Sequence, residues 1–224
     1  MRLWVRSNGL SLFFLVLFAG ALVGQSLAGQ RVYNAEQLQH GGETFSYARY
    51  LVSSHFGSAV LENWQSEYLQ FTLFILATVW LIQRGSNESK PPGDLGLESD
   101  QRQLVGPHAQ RNSPRWARIA GWRRRLYENS LLIVMTAIFL ASLLGQSATA
   151  WSEFNDEQRE HGDPAVSWLS YLGGADFWEK TLQNWQSEFL AVGSMAVFTI
   201  YLRQRGSPES KPVGAPHDQT GSSG

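Results

Sequence analysis

The chain has 224 residues and a formal net charge of -1, from 18 Lys and Arg against 19 Asp and Glu, and it contains no cysteine. That balance leaves no electrostatic footprint for nucleic acid. The missing thiols exclude disulfides, thiolate metal sites and cysteine nucleophiles. An overall 43% hydrophobic and 17% charged content is ordinary, but the apolar residues are gathered into four blocks from which charge is nearly excluded.

The first block, residues 8–28, follows a short basic start with Arg2 and Arg6. Read alone it has the form of a secretory signal, with Ser26-Leu27-Ala28 as a cleavage site. The same segment returns in mid-chain at 129–149, where a cleaved signal makes no sense, so it is expected to be a retained span long enough for a bilayer core of about 30 Å.

Residues 29–62 form a polar connection. Asn34-Ala35-Glu36-Gln37 has the spacing of a helix start, His40 follows Glu36 by four positions, and Gly41-Gly42 is placed to stop the helix in the left-handed conformation. The second block, 64–82, opens on Asn63-Trp64-Gln65-Ser66-Glu67 and ends at Gln83-Arg84-Gly85-Ser86. Residues 86–114, rich in Pro, Gly, Ser, Asn and Gln, are expected to be a disordered linker. Residues 115–127 are expected to be an interfacial helix that leads into the third block, 129–149. A helix start at Asp176-Phe177-Trp178-Glu179 precedes the fourth block, 185–202, and residues 207–224 are expected to be a disordered tail.

The halves match at a constant offset of 121 residues. Asn184-Trp185-Gln186-Ser187-Glu188 repeats the pentapeptide, Gly145-Gln146-Ser147 repeats Gly24-Gln25-Ser26, His161-Gly162 repeats His40-Gly41, and Gln204-Arg205-Gly206-Ser207 repeats residues 83–86. Between 8–91 and 129–212, 33 of 84 positions are identical. Self-similarity at a fixed period signals duplication. The expected fold is all-α: an integral membrane four-helix bundle built from two tandem parallel two-helix repeats, residues 1–85 and 115–206. Fourteen of the 18 Lys and Arg lie in the N-terminus, in 83–128 or in the C-terminus. The positive-inside rule then puts both termini in the cytoplasm, and the repeats are related by an axis along the membrane normal.

Glu67 and Glu188 are the acidic residues inside the expected spans, and an ionisable group there is a functional candidate because its burial is costly. With Asn63, Gln65, Ser66, Asn184, Gln186, Ser187, Gln25 and Gln146 they make a polar layer, and Trp64 and Trp185 suit an interface belt. Such a layer either binds a proton, ion or small polar ligand or locks helices together by hydrogen bonds. Glu36, His40, Glu157 and His161 are donors of a type zinc or manganese accepts. Without an HExxH motif or cysteines, however, the expectation is helix capping and no metal or other cofactor. Arg123, Arg124 and Arg125, beside Trp116 and Trp122, suit anionic lipid headgroups. His55 and His217 are unmatched in the repeat and receive no role. No nucleophile–base pair or phosphate loop is present.

The twice-used Asn-Trp-Gln-Ser-Glu-(Tyr/Phe)-Leu at 63–69 and 184–190, preceded by Gly-Gln-Ser, resembles the signature of a bacterial multi-pass membrane family known only as a domain of unknown function. The resemblance runs over roughly residues 1–212 and implies the bacterial inner membrane. Three functions are open: a non-enzymatic envelope protein with a structural or interaction role, a proton- or cation-translocating homo-oligomer using the Glu pair, and a periplasm-facing metalloenzyme. The expectation is the first, with the lipid bilayer and an envelope protein as partners.

Overall fold

The computed structural model describes residues 2–221, all-helical with no strand among them. Eight α-helices are formed by the described residues: α1 (Arg2–Ser7), α2 (Gly9–His40), α3 (Tyr47–Leu51), α4 (Ser54–Trp80), α5 (Trp122–Glu128), α6 (Ser130–His161), α7 (Trp168–Leu172) and α8 (Ala175–Tyr201). The chain divides into two units. One holds the residues up to Val60 with Gly145–Trp168, the other Leu61–Leu144 with the chain from Leu169 on.

Of the four expected spans, two helices are long and apolar enough to cross a membrane: α2 and α6, each of 32 residues. The surface of α2 says why. Phe13 to Phe18 are six consecutive residues, enough to sweep the whole circumference, and all are 47–70% exposed. A helix apolar all round needs an apolar surrounding. At 1.5 Å per residue α2 is about 48 Å long, some 18 Å more than a bilayer core needs. The surplus is its polar end, residues 29–40. α4 and α8 lack the required apolar length because their first halves carry Glu62, Glu67, Asp176, Glu179, Lys180 and Glu188.

In the first unit, Gly41 ends α2 at φ 72° and Gly162 follows α6 at φ 76°, the expected left-handed stops. The expected helix start at Asn34 is not one, because α2 runs through it unbroken. The Asn34 side chain instead holds the returning loop: Oδ1 accepts from Phe45 N (2.7 Å) and Nδ2 donates to Phe45 O (3.0 Å). Asn155 makes the same two bonds to Val166, at 2.8 and 3.0 Å. Ser26 and Tyr47 are paired at 2.7 Å, and Trp168 donates to Ser147, 121 residues on, at 3.3 Å. Tyr33 packs on Phe45, Tyr50 and His55. Gly29 makes room for Tyr50, whose hydroxyl would lie 2.2 Å from a Cβ at that position and would have to move.

In the second unit, residues 86–114 and the tail are not the featureless segments their composition suggests. They contain 3-10 turns at Pro92–Asp94 and Gly106–His108 and specific long-range bonds. Ser89 Oγ accepts from Gln83 N and Ser210 Oγ from Gln204 N, both at 2.9 Å. Gly85 and Gly206 turn at φ 85° and 82°. Lys211 is 1% exposed, and its ammonium donates to the carbonyls of Gly85, Pro216, His217 and Gln219 at 2.6–3.2 Å. Low hydrophobicity predicts disorder only where nothing else supplies partners, and here buried hydrogen bonds do. The expected helix at 115–127 is split into a turn, Arg115–Ala117, and α5, because Gly121 sits at φ 88°, ψ -159°, a conformation closed to other residues.

Asn34→Ala or Asn155→Ala should each cost about 2 kcal/mol, two bonds to a loop backbone, read as a lower melting temperature of the purified protein. Lys211→Met should release the tail, so that limited proteolysis cuts within 212–221 while helical circular dichroism is unchanged.

Candidate functional site

The twin pentapeptides meet in the second unit, on α4 and α8. The Trp185 indole donates to Gln65 Oε1 at 2.8 Å, Ser66 Oγ to Glu188 Oε1 at 3.4 Å, and Asn184 Nδ2 to Glu62 Oε1 at 2.6 Å. Gln65 and Ser66 are essentially fully buried. On a helix, neighbouring residues such as 65 and 66 flank one line of contact, and 62 lies one turn before it. These side chains therefore form a polar seam along the apolar α4, and pairing across the seam satisfies groups that an apolar surrounding would penalise. Gln65 Nε2 remains buried without an acceptor.

The seam is not the symmetric layer expected from the repeat. An exact two-fold would place Gln186 and Ser187 as Gln65 and Ser66 are placed, yet Gln186 and Ser187 are exposed; both serines donate back to the asparagine carbonyl three residues earlier, at 2.8 and 2.9 Å, and only Ser66 also reaches a carboxylate. Glu67 and Asn63 lie on the exposed side of α4, and Trp64 is 37% exposed. Gln25 is exposed and Gln146 buried, both in the first unit. Of the proposed layer, the structure joins Gln65, Ser66, Asn184, Trp185 and Glu188 directly and adds Glu62, which lies outside the pentapeptide.

A second site lies in the first unit. Glu36 and His40 from the end of α2, Glu157 and His161 from the end of α6, and His55 from α4 line one cleft of about 410 Å³. Glu153, Asp156 and Glu160 add further acid. The sequence candidates are thus brought together, but no three donors among the described residues are placed to hold a metal ion. His40 and His161 each donate Nδ1–H to the carbonyl four residues back, at 3.0 and 2.9 Å, the bond of a histidine that ends a helix. His55, left without a role by the repeat, is the best-held histidine of the cleft. Its Nδ1 donates to Glu153 Oε1 at 3.0 Å. That bond raises the imidazole above its ordinary value of 6.5 by more than burial lowers it, and Asp156 and Glu160 add to the rise. The signal for this pair was the acidity of the second connection, but its partner lies 98 residues away. His217, also set aside, has its Nδ1 2.9 Å from Ile200 O.

Of the arginine cluster, Arg124 is engaged by Glu128 at 3.2 Å and by Asp100 at 3.6 Å, and Arg123 leans on the Trp122 ring. Arg123 and Arg125 are exposed, so two of the three arginines of the cluster stand at the surface.

The His55–Glu153 pair has a signed pH dependence. A folded value above the unfolded one gives stability that is complete below about 6.5 and is lost as pH rises through the raised value. Wild type should therefore melt earlier as pH climbs through that window. His55→Ala should flatten the slope, with a difference of about 1 kcal/mol at the acid end.

No curated protein and no solved structure matches this chain. A family model does match, over residues 1–222, and by it the chain belongs to an uncharacterised family, the domain of unknown function DUF6766.

Proposed function

We propose that the chain is a non-enzymatic integral protein of the bacterial inner membrane, with both termini cytoplasmic. In this reading α2, α4, α6 and α8 form a four-helix bundle of two parallel repeats, and the pentapeptides are its fastening. The observation that carries the reading is the set of cross-helix bonds Trp185–Gln65, Ser66–Glu188 and Asn184–Glu62. Side chains whose polar atoms are spent on each other hold helices together, and each such bond in lipid is worth about 0.6–2 kcal/mol. The acidic cleft would then face outward and dock a cationic partner in the envelope, the role expected of the connections.

A second reading, proton or cation passage by a homo-oligomer, draws on Glu67, an ionisable group on an exposed face of α4 next to the buried Ser66. One experiment separates the two. In proteoliposomes, wild type is set beside Glu67→Gln/Glu188→Gln, with melting measured on the same preparations. The architectural reading expects no flux from wild type and an earlier melt for the variant. Flux in wild type that the variant loses without any change in melting would replace it with the transport reading.

A further inference from the structure

We infer that the segment from Arg111 to Tyr127 is a surface for anionic phospholipid, which it concentrates around the point where α6 enters the bilayer. The inference rests on the membrane reading above. Between Asp100 and Glu128 the chain has seven arginines and no acidic residue, in a protein whose net charge is -1. Arg102 is paired with Asp94, and Arg124 with Asp100 and Glu128. Arg111, Arg115, Arg118, Arg123 and Arg125 are exposed and take part in no ion pair among the described residues.

Charge alone would do no more than fix topology. The apolar side chains set among the arginines ask for more. Trp122 is 69% exposed, Trp116 42%, and Leu126 and Tyr127 39% each. Trp122 and Leu126 are four apart and share one face of α5, with Arg125 three residues from Trp122. The Arg123 guanidinium lies over the Trp122 ring, 5.5 Å from its centroid. Trp116 meets the Tyr127 ring edge-on at 6.3 Å, so the turn Arg115–Ala117 and α5 make one platform. A tryptophan has an apolar ring and a polar N–H, and the headgroup layer satisfies both at once.

Position supplies the third observation. α5 ends at Glu128, and α6, long and apolar enough to cross a membrane, begins at Ser130. That two-residue step reaches at most about 7 Å, within the ~8 Å over which a charge acts at physiological salt. The joint is specific. Asn129 leaves the helical region at φ -108°, ψ 8°, and its Nδ2 donates to Arg125 O at 2.8 Å. The first copy has the same joint: Asn8, at φ -122°, ψ 16°, donates to Trp4 O at 2.8 Å, between α1 and the apolar α2. Trp4, too, is 62% exposed. A soluble polyanion would need the platform clear of the bilayer, which so short a joint denies. Five cations without counter-charge then favour lipids of net negative charge over zwitterionic ones.

The test uses the full chain in phosphatidylcholine vesicles, with spin-labelled phosphatidylglycerol or phosphatidylcholine as the probe. It reads the fraction of each probe that the protein immobilises. Phosphatidylglycerol should be preferred at least about threefold. About 1 M NaCl, where the screening length is ~3 Å, should remove the preference. Arg115→Gln/Arg123→Gln/Arg125→Gln should bring the two probes level. Arg31→Gln/Arg49→Gln/Arg159→Gln, the same loss of charge from the other unit, should keep the wild-type preference. A carbonate wash of each sample reads insertion. A wild-type chain that carbonate strips from the vesicles overturns the membrane reading and this inference with it. An inserted chain that treats the two probes alike overturns the inference alone and leaves the platform to a soluble polyanion. So does a preference that survives salt or the platform variant, or that the other variant loses equally.

Discussion

The structure depends on a mismatch between its surface and water. Six consecutive residues of α2, Phe13 to Phe18, are exposed on every side of the helix. Leaving such side chains in water forgoes about 1.5–3 kcal/mol each, so these six alone rival the net stability of an ordinary domain. An apolar surrounding removes that cost and imposes another: polar groups within it must bond to each other. α2 meets the demand by having almost none between Leu10 and Gly24. α4 and α8, which carry the pentapeptides, meet it by turning Gln65 and Ser66 onto Trp185 and Glu188. The seam and the bare apolar surface answer one requirement in two ways.

How far this was legible in the sequence depends on the range of the interaction. The glycine stops at 41 and 162 need only local geometry, a left-handed residue after a helical run, and the sequence announces them. The pentapeptides stand out as a pair because they are copies, and that they meet across α4 and α8 is in keeping with their matched depth in the chain. Asn34 misleads because its local signature, a cap with Gln three residues on, competes with a partner eleven residues ahead. The unbroken helix wins because no proline interrupts it and the amide is better used on the Phe45 backbone. His55 is harder still. Its partner Glu153 lies in the other copy, where the equivalent of His55 is Asp176, so symmetry arguments pass over it.

The segments after α4 and α8 show the same division between local and distant. Gln83–Pro91 and Gln204–Pro212 have nearly the same sequence and make the same local bonds, from the positive-φ glycine to the serine that holds the glutamine N–H. Their lysines part company because the residues C-terminal to them differ. Lys90 finds Gly96 O and Glu98, and stays partly exposed with a carboxylate. Lys211 finds four carbonyls, one from the first copy, and is buried without a carboxylate. An ammonium taken from water without a carboxylate is costly, and four oriented carbonyl dipoles are what make it tolerable. Composition could report that these segments are polar, but not that their polar atoms face inward.

Matched sequence therefore does not give matched surroundings. An exact two-fold seam would need Trp64 to bond Gln186 as Trp185 bonds Gln65, burying both glutamines. Instead one glutamine is buried and the other exposed, so the two helices present different faces to their contact. That difference leaves one carboxylate, Glu188, inside the seam and its copy, Glu67, outside it. Two chemically identical residues thus stand in different surroundings, one fixed by a hydroxyl and one open. An arrangement with exact two-fold symmetry could not hold both states at once, because symmetry would force the two carboxylates to be alike. The connections differ in the same way: Glu153 faces His55, while the matching positions hold Val32 and Asp176.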